Sequence, residues 1–363
     1  MGIVGLPNVG KSTLFNAITR AGAQAENYPF CTIEPNVGVV DVPDARLAVL
    51  HEMYQSKKTT PAAVRFVDIA GLVKGASKGE GLGNKFLEHI RQVDAIAHVV
   101  RCFEDADITH VEGAVDPIRD IGIITTELCL ADLETVEKRR EKLLRAMKSG
   151  SKEAKAEASL IERVASSLSE GRPARQLDFS EEEAALLREL TLLTMKPTLY
   201  VANVAEDEAA TAEKENPFVQ RVKEYAAAEG AEVVAISAKV EAEIAELSGE
   251  EAKEFLAAIG LAESGLDRLI KKAFSLLNLM TFLTAGPDEC RAWTITRGTT
   301  APKAAGKIHS DIERGFIRAE IVTYDDLVAA GSTAAAREKG QVRLEGKEYI
   351  MQDGDVTYFR FNV

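Results

Sequence analysis

Cysteine is scarce. The 363 residues hold four, at positions 31, 102, 129 and 290, and no two stand in C-x-x-C spacing. That excludes a disulfide framework and a cysteine zinc site, and predicts reduced thiols. No run of 18 apolar residues occurs, which leaves no candidate for a membrane-spanning helix. The N-terminus lacks a charged segment followed by an apolar one, so a cytoplasmic protein is expected, not an exported one. Positive charge is in deficit, with 44 Lys and Arg against 57 Asp and Glu and a net charge of −13. This argues against a whole-surface grip on nucleic acid, sequence-specific DNA included, and leaves a local grip open. A hydrophobic fraction of 46 % with 28 % charged residues excludes a wholly disordered chain. The length exceeds one ordinary core and predicts two or three domains.

Chemistry is concentrated at the start. Gly2-Ile3-Val4 reads as a short strand, Gly5 to Ser12 as G-x-x-x-x-G-K-S, and Thr13 to Ile18 as the first turns of a helix. In that strand–loop–helix context the motif is a phosphate-binding P-loop. Its glycines let the N–H groups of Asn8, Val9, Gly10, Lys11, Ser12 and Thr13 curl around phosphate, and the helix N-terminus adds partial positive charge. Lys11 is placed to reach the β- and γ-phosphates as the catalytic cation, and the Ser12 hydroxyl to ligate Mg²⁺. Ala63–Asp68 reads as a strand ending in an acid, and Asp68-Ile69-Ala70-Gly71 is D-x-x-G. Asp68 is therefore expected to hold Mg²⁺ through water, and Thr32, in Pro29–Ile33, is the candidate second protein ligand. Four glycines between Gly75 and Gly83 predict a mobile loop unless a ligand orders it.

Two further regions differ in pattern. Leu133, Val136, Arg140, Leu143 and Met147 form a heptad seam, and so do Ala154, Ala158, Ile161, Val164 and Leu168 beyond Ser149-Gly150-Ser151. This predicts an antiparallel helical hairpin over 129–190. Buried-strand patterns resume at 198–203 and 233–236, so the hairpin interrupts a nucleotide domain made of 1–128 and 191–280. From 281 to 363 short strands and two helix candidates predict a small α+β domain of four or five strands. Residues 129–190 and 281–363 each carry a net charge of −1, which leaves −11 on the nucleotide domain. An anionic macromolecule would meet the accessory parts more readily. Lys138, Arg139, Arg140, Lys142, Arg145 and Lys148 make a basic stripe on the hairpin, with a plain solvated face as the alternative.

The segments at 2–16, 27–36 (N-Y-P-F-C-T-I-E-P-N) and 67–77 (V-D-I-A-G-L-V-K-G-A-S) resemble the Obg-related P-loop proteins, and most nearly their YchF branch, the Obg-like ATPases. The resemblance covers the whole chain, and Gly306–Phe316 looks like the signature of a TGS (β-grasp) module. It implies an α/β P-loop NTPase domain with an inserted α-helical hairpin and a C-terminal TGS module. It also implies ATP preference and association with the ribosome or ribosomal RNA. Gly2–Val4 is a shorter first strand than relatives suggest.

At the base site, GTPases read guanine with N-K-x-D, whereas here Asn203-Val204-Ala205-Glu206 stands, with Ser237-Ala238-Lys239 as the neighbouring loop. Val204 lacks a lysine stem to lie on the base and Glu206 is a methylene longer than aspartate, which weakens guanine selection, so GTP is expected to bind no better than ATP. Leu72 stands where Ras-like enzymes place the water-orienting glutamine. His110, on an acidic loop, is the candidate to replace it, with a solvated loop histidine as the alternative; His98 reads as a strand residue and His309 as a packing residue. P-loops with asparagine at the Asn8 position and no catalytic glutamine include enzymes that recruit K⁺. Two rival readings are an Obg-type GTPase assembly factor and a nucleotide switch with negligible hydrolysis.

Overall fold

The first strand, β1 (Gly2–Val4), is three residues long and fully buried. It gives directly onto the motif loop and helix α1 (Lys11–Arg20), which buries Leu14, Phe15, Ala17 and Ile18. The computed structural model describes residues 1–21, 36–69, 82–148 and 152–362. Among these, residues 1–21, 36–38 and 66–269 form one compact unit, and 39–65 with 270–362 form a second.

A six-stranded sheet is centred on the first unit. Its strands are β1, β2 (Val37–Asp41), β4 (Ala63–Asp68), β5 (Ile96–Arg101), β6 (Thr198–Asn203) and β7 (Glu232–Ile236), in the order β2-β4-β1-β5-β6-β7. Residues 39–41 of β2 and 63–65 of β4 are counted to the second unit. β1 pairs in parallel with β4 on one side and β5 on the other, and β5, β6 and β7 continue in parallel. The order reverses around β1, so the loop after it opens at the carboxyl edge where α/β sheets bind ligands. Helices α3 (Leu82–Gln92), α7 (Ala212–Glu215), α8 (Pro217–Ala228), α9 (Ala238–Ile244), α10 (Gly249–Ala258) and α11 (Gly265–Leu276) complete the α/β pattern. The described end of α11 crosses into the second unit. Val100, Tyr200, Ala202, Val204, Val219 and Val222 share one core beneath α8.

Helix α4 (Pro117–Lys148) is 32 residues long, and α5 (Lys152–Ser169) follows it. The two helices lie together, burying Val136 and Leu143 against Ala154, Ile161, Val164 and Leu168, with Leu133, Met147 and Ala158 partly buried. The charged member of the seam, Arg140, sits beside Glu137 (3.0 Å). Helix α6 (Glu181–Arg188) starts in the capping box that Ser180 and Glu183 spell. The helix that carries the first seam starts twelve residues before 129. α4 begins at Pro117, because its first turns bury Ile121 and Ile124 and nothing breaks the helix afterwards. At the base, the fully buried Asp132 accepts hydrogen bonds from Leu193 N (2.9 Å), Thr194 N (2.7 Å) and Thr194 Oγ1 (2.7 Å). Burial pushes its carboxyl pKa up, against the pull of these bonds.

The second unit carries β3 (Lys58–Thr60), β8 (Leu279–Ala285), β9 (Glu289–Thr296), β10 (Phe316–Thr323), β11 (Arg343–Glu345) and β12 (Asp355–Phe361). They form a six-stranded sheet in the order β11-β10-β12-β8-β9-β3. Helices α2 (Ala45–Tyr54), α12 (Ala301–Ile308), α13 (Ser310–Arg314), α14 (Tyr324–Ala330) and α15 (Thr333–Glu338) accompany it. Phe282, Phe316 and Phe359 centre its core, Phe359 meeting Phe282 edge-on at 5.7 Å. Five of these strands lie between residues 279 and 361, and the sixth, β3, comes from outside the stretch expected to form this domain. β3 pairs in parallel with β9, which brings residues 39–65 into this unit. A three-residue strand is too short to carry a period that sequence reading can recognise. His309 is corrected: its ring is 63 % exposed and accepts a hydrogen bond from Asp311 N, capping α13.

Candidate nucleotide site

The loop between β1 and α1 takes its shape from two left-handed residues, Asn8 (φ 63°) and Gly10 (φ 91°). Gly10 is the cap of α1 and offers no side chain to its first N–H groups. A Cβ there would stand 2.1 Å from Asn203 Nδ2, so the position excludes other residues on both counts. The start of α1 thus presents backbone donors and positive dipole with no internal acceptor, the arrangement that suits phosphate. Ser12 and Thr13 are exposed in this first turn.

Opposite stands the end of β4. Lys11 Nζ donates to Asp68 Oδ1 at 2.5 Å, with both side chains largely shielded. Asp68 N donates to Asn36 O and Ile69 N to Ile3 O, which fixes the carboxylate beside β1. A cation and a carboxylate therefore meet at one point, with the Ser12 hydroxyl on the adjoining turn. This donor set of hydroxyl and carboxylate is hard-oxygen chemistry and fits Mg²⁺. Thr32, Gly71 and Leu72 lie outside the described residues.

On the base side, Asn203 ends β6 and acts as a tie. Its Nδ2 donates to Val9 O (2.9 Å) and its Oδ1 accepts from Ala238 N (2.9 Å). Ser237 caps α9 by accepting from Val240 N. Glu206 Oε2 lies 2.5 Å from Lys239 Nζ, and this exposed pair holds the lysine pKa up. Val204 is corrected. Its side chain is buried in the core beneath α8, not turned toward a base, because it continues the inward alternation of β6 beside Ala202.

His110 is corrected in its surroundings as well. It is 5 % exposed, not a solvated loop side chain. Glu112 N donates to Nδ1 (3.1 Å), so Nε2 carries the proton and donates to Asp120 Oδ2 at 2.7 Å. Arg119 braces the same carboxylate from Nη2 (3.1 Å) and binds the carbonyls of Glu112 and Ala114. The buried Arg101 holds the carbonyls of Phe103, Asp105 and Ile108. Asn8 Nδ2 donates to Thr109 O at 3.1 Å, so the residue next to His110 already touches the motif loop. Asp120 and Arg119 escape sequence reading because both lie in the first turn of α4, ahead of the heptad seam that marks the hairpin.

Two family models match the sequence. One, described as "50S ribosome-binding GTPase", matches residues 1–127, and the other, YchF-GTPase_C, described as "Protein of unknown function (DUF933)", matches residues 279–362. The protein "Ribosome-binding ATPase YchF" of Bacillus subtilis is 60 % identical over 362 residues, covering 100 % of this chain and 99 % of its own. The chain belongs to the YchF family. The YchF protein of Haemophilus influenzae, of the same description, is 55 % identical with the same coverage. The structure of the Schizosaccharomyces pombe YchF GTPase superposes with a TM-score of 0.89 at 42 % identity, over 99 % of this chain and 97 % of that one. The fold is thus a P-loop GTPase-type α/β fold. A GTP-binding protein of Pyrococcus horikoshii, at 22 % identity with a TM-score of 0.61, shares the fold over 99 % of both chains.

Proposed function

We propose that this YchF-family chain is a Mg²⁺-dependent ATPase whose nucleotide state governs association with the ribosome. The observation that carries the hydrolytic half is the meeting of Lys11 and Asp68 at the uncapped start of α1. Relatives at 54–60 % identity are described as ribosome-binding ATPases, and that description supports the partner. Mg²⁺ would be held by Ser12 and Thr32 and, through water, by Asp68; it supplies charge that offsets the negative charge developing on the phosphates. Lys11 and the N–H groups of residues 8–13 bind the β- and γ-phosphates and absorb the same charge. Water oxygen bonds to the γ-phosphorus as the bond to the β–γ bridging oxygen breaks, and the water proton ends on the inorganic phosphate. We assign His110 to orienting that water once it leaves Asp120. Asn8 Oδ1 has no hydrogen-bond partner among the described residues and is the atom we assign to K⁺.

Preference for ATP over GTP rests on the base side. Glu206 is spent on Lys239 and Val204 on the core, so neither serves as a guanine reader. Residues 1–128 with 191–280, the hairpin over 129–190 and the C-terminal part we read as nucleotide domain, helical insertion and TGS-like β-grasp module. The hairpin is the part we assign to ribosomal RNA. Its basal cations are paired, Lys138 with Glu134 (2.6 Å) and Arg139 with Glu157 (2.6 Å). Lys142, Arg145 and Lys148, farther along α4, are exposed or nearly so and have no ion pair among the described residues. Calorimetric titration of ATP and GTP with Mg²⁺, followed by cosedimentation with ribosomes in each nucleotide state, tests the reading. An Obg-type GTPase predicts the opposite order of affinities, and a switch without hydrolysis predicts no phosphate release.

A further inference from the structure

One helix holds both His110 and the hairpin. Asp120, which accepts from His110 Nε2 at 2.7 Å, is the fourth residue of α4, and Lys148, at the far end of the same helix, borders the hairpin tip. At a rise of 1.5 Å per residue the two lie about 42 Å apart along one continuous helix. Between them Asp132 anchors α4 to the 193–194 turn through three hydrogen bonds.

We propose that Asp120 is a positioning residue that keeps His110 away from the phosphates, and that a partner gripping the hairpin releases it by shifting α4. The inference rests on the assignment of His110 to the attacking water. Its geometry is specific. His110 spends both ring nitrogens in the held state, one on Asp120 and one on Glu112 N, so neither is free for a water. The loop around it is otherwise fixed, by Arg101 at residues 103–108 and by Asn8 at Thr109. The backbone beside the histidine therefore already lies against the motif loop, and release requires a local change at residues 110–112, not a long loop closure. Arg119 doubles the hold, since it binds the Asp120 carboxylate and two loop carbonyls at once. A displacement of the first turn of α4 would loosen all of these together, because Arg119 and Asp120 are neighbours on it.

The test is steady-state ATP hydrolysis by the full chain, with nucleotide affinity measured alongside. Asp120→Ala should raise basal kcat about tenfold with KM unchanged, the worth of one hydrogen bond to a charged group. Asp120→Asn, which keeps an acceptor, should fall between this variant and wild type. In the His110→Ala background Asp120→Ala should have no effect, since there is nothing left to release. Ribosomes should stimulate wild type and fail to stimulate Asp120→Ala further. Should Asp120→Ala not fold, Arg119→Gln carries the same expectation through the loosened carboxylate. An Asp120→Ala rate at or below wild type, or a rise that persists without His110, overturns the inference. Unchanged hydrolysis by His110→Ala alone instead overturns the assignment of the histidine.

Discussion

Lys11 and Asp68 neutralise one another across 2.5 Å, the first residue of α1 meeting the last of β4. On the proposed function each would be the other's stand-in for a ligand, the ammonium in place of a metal-bound water and the carboxylate in place of a phosphate oxygen. Binding of Mg²⁺ and nucleotide would exchange this pair for two new ones. Lys11→Ala should cut hydrolysis at least about a hundredfold, the scale of removing one charged donor from the transition state. The fold should survive, because Lys11 stands at the start of α1, outside the residues that helix buries in the core. Single-turnover phosphate release with circular dichroism in parallel checks both statements; wild-type turnover in Lys11→Ala would refute the site.

Base choice gives a second expectation. ATP should bind at least as tightly as GTP in competition calorimetry. Grafting a guanine code at Val204 is not a simple exchange, since Val204→Lys drives an ammonium into the core beneath α8. That variant should lose about 2–4 kcal/mol in denaturant unfolding. Glu206→Asp, at a half-exposed position paired with Lys239, should leave stability near wild type.

Potassium provides a third. With Asn8 Oδ1 available and Nδ2 committed to Thr109, K⁺ should raise turnover above that in Na⁺ at equal ionic strength. Equal rates in the two salts would remove K⁺ from the site.

The hairpin cations make a fourth. Reversing Lys142, Arg145 and Lys148 to Glu should weaken ribosome binding at low salt. The slope of log affinity against log salt should flatten by about 0.7–0.9 for each phosphate that is no longer neutralised. Reversal of the already paired Lys138 should do less. A salt dependence unaltered by the triple reversal would place the RNA-binding surface elsewhere.

A fifth concerns pH. Burial, with Arg175 nearby, drives the His98 imidazole down to about 3 from an ordinary 6.5. The unfolded chain therefore takes up the proton first as pH falls. The stabilising contribution is complete above pH 6.5 and is lost from there toward pH 3, at up to about 1.4 kcal/mol per pH unit. His98→Phe should flatten the slope of unfolding free energy between pH 6.5 and 4 by about one proton's worth.

Much of this was legible from residues alone. The motif loop, the acid ending β4, the seams of α4 and α5, and the capping box of α6 each rest on local spacing, which sequence displays. What escaped depends on partners far apart in the chain. Asn203 reads as a base contact, yet its amide joins residues 9 and 238. Val204 reads as a lost lysine, but the pleat of β6 decides where it points. His110 reads as a loop histidine until Asp120 is found beneath it. β3 has no period to detect, and only its pairing with β9 makes it a strand.

That last strand bears on how the chain can be cut and recombined. Residues 58–60 complete the edge of a sheet whose other five strands lie after residue 278. The C-terminal part is therefore not a cassette that can be excised at a single peptide bond. A fragment beginning near residue 279 would leave β9 with an open, hydrogen-bond-hungry edge, the kind that recruits another chain. Exchange of this part between relatives would have to carry the edge strand at residues 58–60 with it, while β2 and β4 on either side stay with the other sheet.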